Sequence, residues 1–263
     1  MHRGRETVNL VVTPDINLKT YSDPAVVTLY AKMDKLQPCE EVMFQRWIRP
    51  GGTVLDLGVG GGRTAGPLSK VASRYIGIDY SKVMVEACRA RYPQLEFRHG
   101  DATDLSQFED RLFDAVVFSF NGIDCIRADE GRVKCLSEVK RVLKPGGVFV
   151  VSSHNARAVG VWPQLKTACG VQIPWRIIYS LYASARLAAR SLSHPAFWKG
   201  SGYVLDPVHG GVATYLSTPR TFAPQIEAAG LEVVDVVGGR YPDVQALWLT
   251  PWYYYACRKP SQA

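Results

Sequence analysis

At 263 residues and 47% hydrophobic content, the chain can bury one large α/β core, and it carries no apolar stretch long enough to span a bilayer. Its N-terminus lacks the sustained apolar region of a secretory leader, so a soluble, cytoplasmic protein is expected. The six cysteines form no Cys-x-x-Cys pair, which argues against a zinc site and a disulfide framework, while the net charge of +7 leaves nucleic acid, an anionic surface or an acidic substrate open until it is located.

Residues 1 to 20 show little periodicity, and Thr13, Pro14, Asp15 and Asn17 interrupt any element, so an irregular lead-in is expected. A helix follows Tyr21: Ser22 or Asp23 caps it, Pro24 sits in its first turn, and its pattern runs on to Leu36. A second helix spans roughly Glu40 to Ile48, before Pro50 and Gly51.

The run TVLDLGVGGGRT, Thr53 to Thr64, organises the rest. Val54, Leu55 and Leu57 read as a buried parallel strand, and Gly58, Gly60, Gly61 and Gly62 as a tight turn that lets backbone approach a ligand. Helix-compatible sequence from Arg63 turns free N–H groups toward whatever lies over the glycines. A dinucleotide fingerprint would place Gly or Ala where this chain has Arg63. Read instead as Asp-x-Gly-x-Gly-x-Gly, the residues Asp56, Gly58, Gly60 and Gly62 resemble the first motif of class I S-adenosylmethionine-dependent methyltransferases.

That resemblance implies a Rossmann-like, seven-stranded, mostly parallel sheet with helices on both faces and its last strand antiparallel. It implies S-adenosylmethionine as cofactor, S-adenosylhomocysteine as product, and N-terminal helices over the cofactor, with Tyr21 as a contact or a packing residue.

Downstream residues extend this reading. Arg74 to Asp79 forms a second strand, and Asp79 at its end can accept ribose hydroxyls, a spacing that dinucleotide enzymes share. Ser81 caps the next helix, and Tyr80 and Met84 are placed to flank adenine. After a third strand, Leu95 to Arg98, the segment His99-Gly100-Asp101-Ala102 resembles the family's adenine-binding turn, with Asp101 and Ala102 at the base and His99 packing or hydrogen-bonding beneath the sheet. The fourth strand, Phe113 to Phe120, brings Ser119, Phe120 and Asn121 beside the sulfonium in the implied fold. Asp129 to Leu143 is an amphipathic helix, stopped by Lys144-Pro145-Gly146-Gly147 before a fifth strand from Val148 to Ser152; EVKRVLKPGGVFVVSS resembles the family again. A helix from Pro219 and strands at Leu231 to Val237 and Tyr253 to Cys257 complete the alternation.

The domain reading is an N-terminal helical cap (1–50), a core (51–153 and 214–263) and an insertion (154–213) acting as a helical lid. From Lys140 to Leu205 there is no Asp or Glu, so the positive charge gathers there. Pro174 to Leu192 reads as a helix whose arc of Ile177, Ile178, Leu181, Tyr182, Ala185, Ala189 and Leu192 docks on the domain, with Arg176, Arg186 and Arg190 opposite. That basic face could instead meet an anionic membrane or acidic glycan. Nucleic acid is disfavoured, because the aromatics do not interleave with the charge. Trp162, Trp175, Tyr179, Tyr182, Trp198 and Tyr203 can line an acceptor pocket or form lid core.

The resemblance implies methyl transfer to a small-molecule acceptor, foremost a hydroxyl of a sugar, glycan or secondary metabolite. A hydroxyl must lose its proton, and His154, His209 and Asp124 are the candidate bases. No local metal cluster is visible in the sequence. N- or C-methylation of a natural product or lipid, a nicotinamide-dependent oxidoreductase and a noncatalytic cofactor-binding protein are the rival readings, and the oligomeric state is open.

Overall fold

The computed structural model describes residues 16–158, 185, 189, 192–206, 212–243 and 250–261. Three short helices open the described chain: α1 (Ile16–Tyr21), α2 (Pro24–Ala31) and α3 (Pro38–Trp47). The core alternates β1 (Thr53–Leu57), α4 (Ala65–Val71), β2 (Arg74–Asp79), α5 (Lys82–Arg91), β3 (Glu96–His99), β4 (Phe113–Phe118), α6 (Ala128–Val142) and β5 (Leu143–Asn155). There follow α7 (Pro195–Lys199), the hairpin β6 (Gly202–Asp206) and β7 (Val212–Ser217), α8 (Pro219–Ala228), β8 (Glu232–Gly238) and β9 (Trp252–Arg258).

The central strands run in the order β3-β2-β1-β4-β5, all parallel. On the far side of β5, β9 is antiparallel to both β5 and β8. Seven of the strands are those read from sequence. The β6–β7 hairpin adds two more: the last residues of β5, His154 and Asn155, outrun β4, whose pairing ends at Val151, and pair in parallel with Leu216 and Ser217 of β7.

Period-two alternation splits the core into two layers. Leu55, Leu57, Ile76, Ile78, Val116 and Phe118 pack with Cys135, Leu136 and Val139 of α6 and Phe222 and Ile226 of α8. On the other face Val54, Ala115, Val117 and Val150 meet Met43 and Phe44 of α3, Leu68 of α4 and Val85 and Cys88 of α5. Each fully buried aliphatic side chain contributes about 1.5–3 kcal/mol, so the sheet is a rigid base for the loops at its strand ends.

Four expectations need correction. Residues 16–21 are helical rather than irregular, because Asn17 ties them to the core: its Nδ2 donates to Cys125 O at 3.1 Å and to Ala213 O at 3.3 Å, and its Oδ1 accepts from Ala213 N at 3.2 Å. Helix α2 stops at Ala31 instead of reaching Leu36, because the Arg91 guanidinium takes the carbonyls of Ala31 (2.9 Å) and Met33 (3.0 Å). The helix after the glycines starts at Ala65, not Arg63, since Arg63 is drawn into an ion pair. In the insertion, Ala185, Ala189 and Leu192 are exposed, so the apolar arc is not docked at these positions. The rest of that helix, its basic face, Trp162, Trp175 and His209 lie outside the described residues.

Candidate functional site

The glycine turn is built between β1 and α4. Gly60 has φ +53°, and its N–H donates to Asp79 Oδ2 at 2.9 Å. The other Asp79 oxygen accepts from Ser81 N at 2.8 Å, so the carboxylate at the end of β2 holds the turn and the start of α5 at once. Burial raises the Asp79 carboxyl to about 6, against these backbone donors and nearby His99, which lower it. Asp56 is still more enclosed: its Oδ2 accepts from Thr64 Oγ1 at 2.6 Å and Tyr75 OH at 2.8 Å, and burial carries it to about 7.

The N-terminal helices close over this turn. A Cβ on Gly61 would lie 2.4 Å from the carbonyl carbon of Tyr30, at the end of α2. Arg91 donates to Gly61 O at 3.0 Å while holding the end of α2, so cap and turn form one unit. Rings meet edge to face along it: Tyr21 with Tyr30 (5.9 Å between centroids), Tyr21 with Tyr80 (6.5 Å) and Tyr30 with Phe120 (6.4 Å).

A buried polar network backs the turn. Arg63 pairs bidentately with Glu40 of α3, which is fully buried and also accepts from Ser119 Oγ and Tyr254 OH. The Arg63 guanidinium lies 4.6 Å from the centre of the Phe120 ring. Phe120 and Asn121 have φ of +54° and +62°; such left-handed non-glycine residues cost about 1–3 kcal/mol each and recur at functional sites. Sequence reasoning missed Glu40, whose signal was Arg63: an arginine in a glycine turn next to a buried strand needs a partner.

Together these elements enclose a cavity of about 390 Å³. Tyr21, Asp56, Gly58, Gly60, Asp79, Tyr80, Met84, Asp101, Ala102, Ser119 and Phe120 all border it. Tyr30, Arg63, Cys125 and Arg127 join them unforeseen. Gly62 does not line it; it supports the turn from behind, where a Cβ would come 3.1 Å from the Tyr92 ring. Asp101 is exposed and accepts from Thr103 N at 2.8 Å, and His99 Nε2 donates to Tyr80 O at 3.0 Å.

Asn121 and His154 stand beside the cavity rather than on its wall. His154 Nδ1 donates to Asp124 Oδ2 at 2.7 Å, and Asn121 Nδ2 donates to His154 Nε2 at 3.2 Å. Asp124, a candidate base from sequence, is corrected here: it is fully buried and already accepts from Ser153 Oγ and from the backbone and ring of His154. Burial raises its carboxyl and the His154 hydrogen bond opposes this. It orients the imidazole and does not meet an acceptor. Trp198 and Tyr203 are also not on the wall. Trp198 is 68% exposed, and Tyr203 packs against Arg132 and Tyr215.

The comparisons agree with this geometry. A family model described as "Methyltransferase domain" matches residues 54–147. A demethylmenaquinone methyltransferase from Beutenbergia cavernae is 32% identical over 200 residues, covering 69% of this chain and 79% of the relative. The chain belongs to the class I S-adenosylmethionine-dependent methyltransferase family.

Another member, a probable S-adenosylmethionine-dependent methyltransferase of Mycolicibacterium smegmatis, is 40% identical over 117 residues, and the match spans only 44% of each chain. Among solved structures, the CcbJ methyltransferase of Streptomyces caelestis has a TM-score of 0.61 at 19% identity, covering 92% of this chain and 98% of that one. The Burkholderia thailandensis 1,6-didemethyltoxoflavin-N1-methyltransferase, solved with its substrate and S-adenosylhomocysteine, has a TM-score of 0.59 at 15% identity over 93% of this chain and 85% of that one. At these identities the structures support the fold alone. The cavity fits the cofactor of this methyltransferase family: the glycine turn at Gly58 and Gly60 and the carboxylate of Asp79 line it, and the volume lies within the range of small-molecule sites. No helix among the described residues is long and apolar enough to cross a membrane.

Proposed function

We propose that the chain transfers a methyl group from S-adenosylmethionine to an oxygen of a small molecule, a sugar, glycan or secondary metabolite, releasing S-adenosylhomocysteine. The observation that carries the cofactor half is the Asp79–Gly60 hydrogen bond in the cavity wall. The glycine turn, Asp79, Tyr80, Met84, Asp101 and Ala102 would hold the adenosine end, and Ser119, Phe120 and Tyr21 the methionine end. Bound there, the cofactor supplies an electrophilic methyl on a sulfonium. This chain aligns the acceptor with it, and alignment of two reactants is worth on the order of 7–11 kcal/mol.

The oxygen assignment rests on the Asp124–His154 pair. With Nδ1–H committed to Asp124, Nε2 is the acceptor nitrogen, the protonation state a general base needs. Asn121 Nδ2 donates to that nitrogen, so the amide has to give way to the acceptor hydroxyl before Nε2 takes its proton. Because the imidazole does not itself line the cavity, N- or C-methylation stands as the second reading. Relatives named demethylmenaquinone methyltransferases support a small-molecule acceptor in either case.

Calorimetric titration with S-adenosylmethionine, S-adenosylhomocysteine and NADH tests the cofactor half. Both adenosyl ligands should bind, and Asp79→Ala and Gly60→Val should abolish their binding. Binding of NADH alone would replace this reading with an oxidoreductase.

A further inference from the structure

Asn121 follows β4 with its backbone pinned. Its φ of +62° lies in the left-handed region, which asparagine tolerates better than most residues. Its N–H donates to Ser152 Oγ at 2.7 Å, and its carbonyl accepts from Asp124 N at 3.1 Å. The side chain is only half satisfied. Nδ2 donates to His154 Nε2 at 3.2 Å, while Oδ1 is buried without a hydrogen-bond partner. An idle buried acceptor is costly and asks for a donor.

A primary amide is a donor at one end and an acceptor at the other, and a half-turn about its last torsion exchanges the two. With Nδ1–H held by Asp124, the neutral ring presents a lone pair at Nε2, which suits Nδ2. Once Nε2 carries a proton, the same arrangement sets donor against donor. The half-turn removes that clash and gives Oδ1 a charged donor, which makes the stronger kind of hydrogen bond. Other groups around the ring do not compete for that proton. Asp124 is already its ion-pair partner at Nδ1, the strand neighbours of His154 are Leu216 of β7 and Trp252 of β9, and Tyr254, further along the same face of β9, has its hydroxyl committed to Ser119 and Glu40.

We infer that Asn121 is a positioning residue with two settings: Nδ2 donates to Nε2 while the ring is neutral, and Oδ1 accepts from Nε2–H once the ring has taken a proton. This rests on the reading of His154 as the base. In that reading the acceptor O–H bond breaks as Nε2–H forms, the oxygen electron pair bonds the methyl carbon, and the C–S pair leaves with sulfur as S-adenosylhomocysteine. The imidazolium then lies between two acceptors, Asp124 Oδ2 and Asn121 Oδ1, until solvent takes its proton.

The test is NMR of full-length protein with isotope-labelled asparagine and histidine, saturated with S-adenosylhomocysteine and titrated from about pH 5 to 9. The Asn121 Nδ2 protons should shift with the same midpoint as the His154 ring nitrogens, and His154→Gln should abolish that response. At the acid end, Nε2–H should exchange with water about tenfold or more slowly than in Asn121→Gly, which keeps the left-handed backbone and removes the amide. Four results overturn the inference: amide protons that stay flat while the ring titrates, a response that survives His154→Gln, equal exchange in wild type and Asn121→Gly, or a ring that takes no proton in this range. The first needs only wild-type protein, so a variant that fails to fold does not shelter the inference. Failure of the base reading shows separately, as full turnover on an oxygen acceptor in His154→Ala. Failure of the cofactor reading shows as no binding of S-adenosylhomocysteine, and the same titration of the ligand-free protein then decides the amide.

Discussion

Asp124 Oδ2 accepts both the backbone N–H and the ring Nδ1–H of His154, each at 2.7 Å. Two donors from one residue converge on one carboxylate oxygen, which fixes the imidazole's rotamer and tautomer together. The carboxylate is buried while the imidazole side chain is 37% exposed, so only the histidine can exchange a proton with an acceptor or with water.

With a hydroxyl acceptor, His154→Ala should therefore lower kcat by about 10²- to 10⁴-fold and leave the affinity for S-adenosylhomocysteine unchanged. Asp124→Asn should produce a smaller loss. Full turnover on an oxygen acceptor in His154→Ala would remove the base from the mechanism.

Gly61→Ala tests whether cap and turn act as one unit. The new Cβ meets backbone, not a movable side chain, at 2.4 Å, so α2 must lift away. Affinity for S-adenosylhomocysteine should fall about tenfold or more, since overpacking of this kind costs about 1–3 kcal/mol. Hydrogen exchange should quicken over residues 16–33 while the sheet stays protected. Unchanged exchange there would separate cap from turn.

The Glu40–Arg63 pair gives a stability prediction. Glu40→Ala leaves a buried guanidinium uncompensated and should cost about 3–5 kcal/mol in urea unfolding. The double replacement Glu40→Leu with Arg63→Met should cost clearly less than the two single changes summed. Additive losses would mean the two residues do not interact.

Asp56 and Asp79 predict the pH dependence of the cofactor-free protein. Burial raises Asp56 to about 7 and Asp79 to about 6, above the ordinary carboxylate value of about 4. Between those values the native state keeps protons that the unfolded chain has released. Their contribution to stability is thus full below about pH 4 and is lost as pH rises through 6 to 7, at about 1.4 kcal/mol per pH unit for each proton. Asp56→Asn should remove the upper part of that slope in urea titrations between pH 5 and 8. An unchanged slope would place the titration elsewhere.

Much of the core was legible locally. The apolar run before Gly58 and the acid closing RYIGID each combine burial with turn chemistry over a few residues, whereas KPGG, read as a stop before a strand from Val148, lies inside β5 at an irregularity in its pairing with β4. Physical reasons of such short range do not depend on the rest of the fold. The helix at 16–21 was not legible, because the hydrogen bonds that hold it come from Cys125 and Ala213, more than a hundred residues away. The hairpin at 202–217 was missed for a related reason: its place in the sheet depends on β5 running past β4 to His154 and Asn155.

The site divides in the same way. Sequence by itself determined the glycine turn, Asp79 and the family, because a strand, a tight turn and a helix start form one contiguous piece of chain with its own backbone requirements. Only the tertiary structure decided which side chains share a cavity or a proton. It set Glu40 against Arg63, placed Arg127 on the cavity wall, and joined Asp124 to His154 by hydrogen bonds. These pairings follow from the order β1-β4-β5 and from the docking of the N-terminal helices, and strand order and docking are fixed by burial summed over the whole chain.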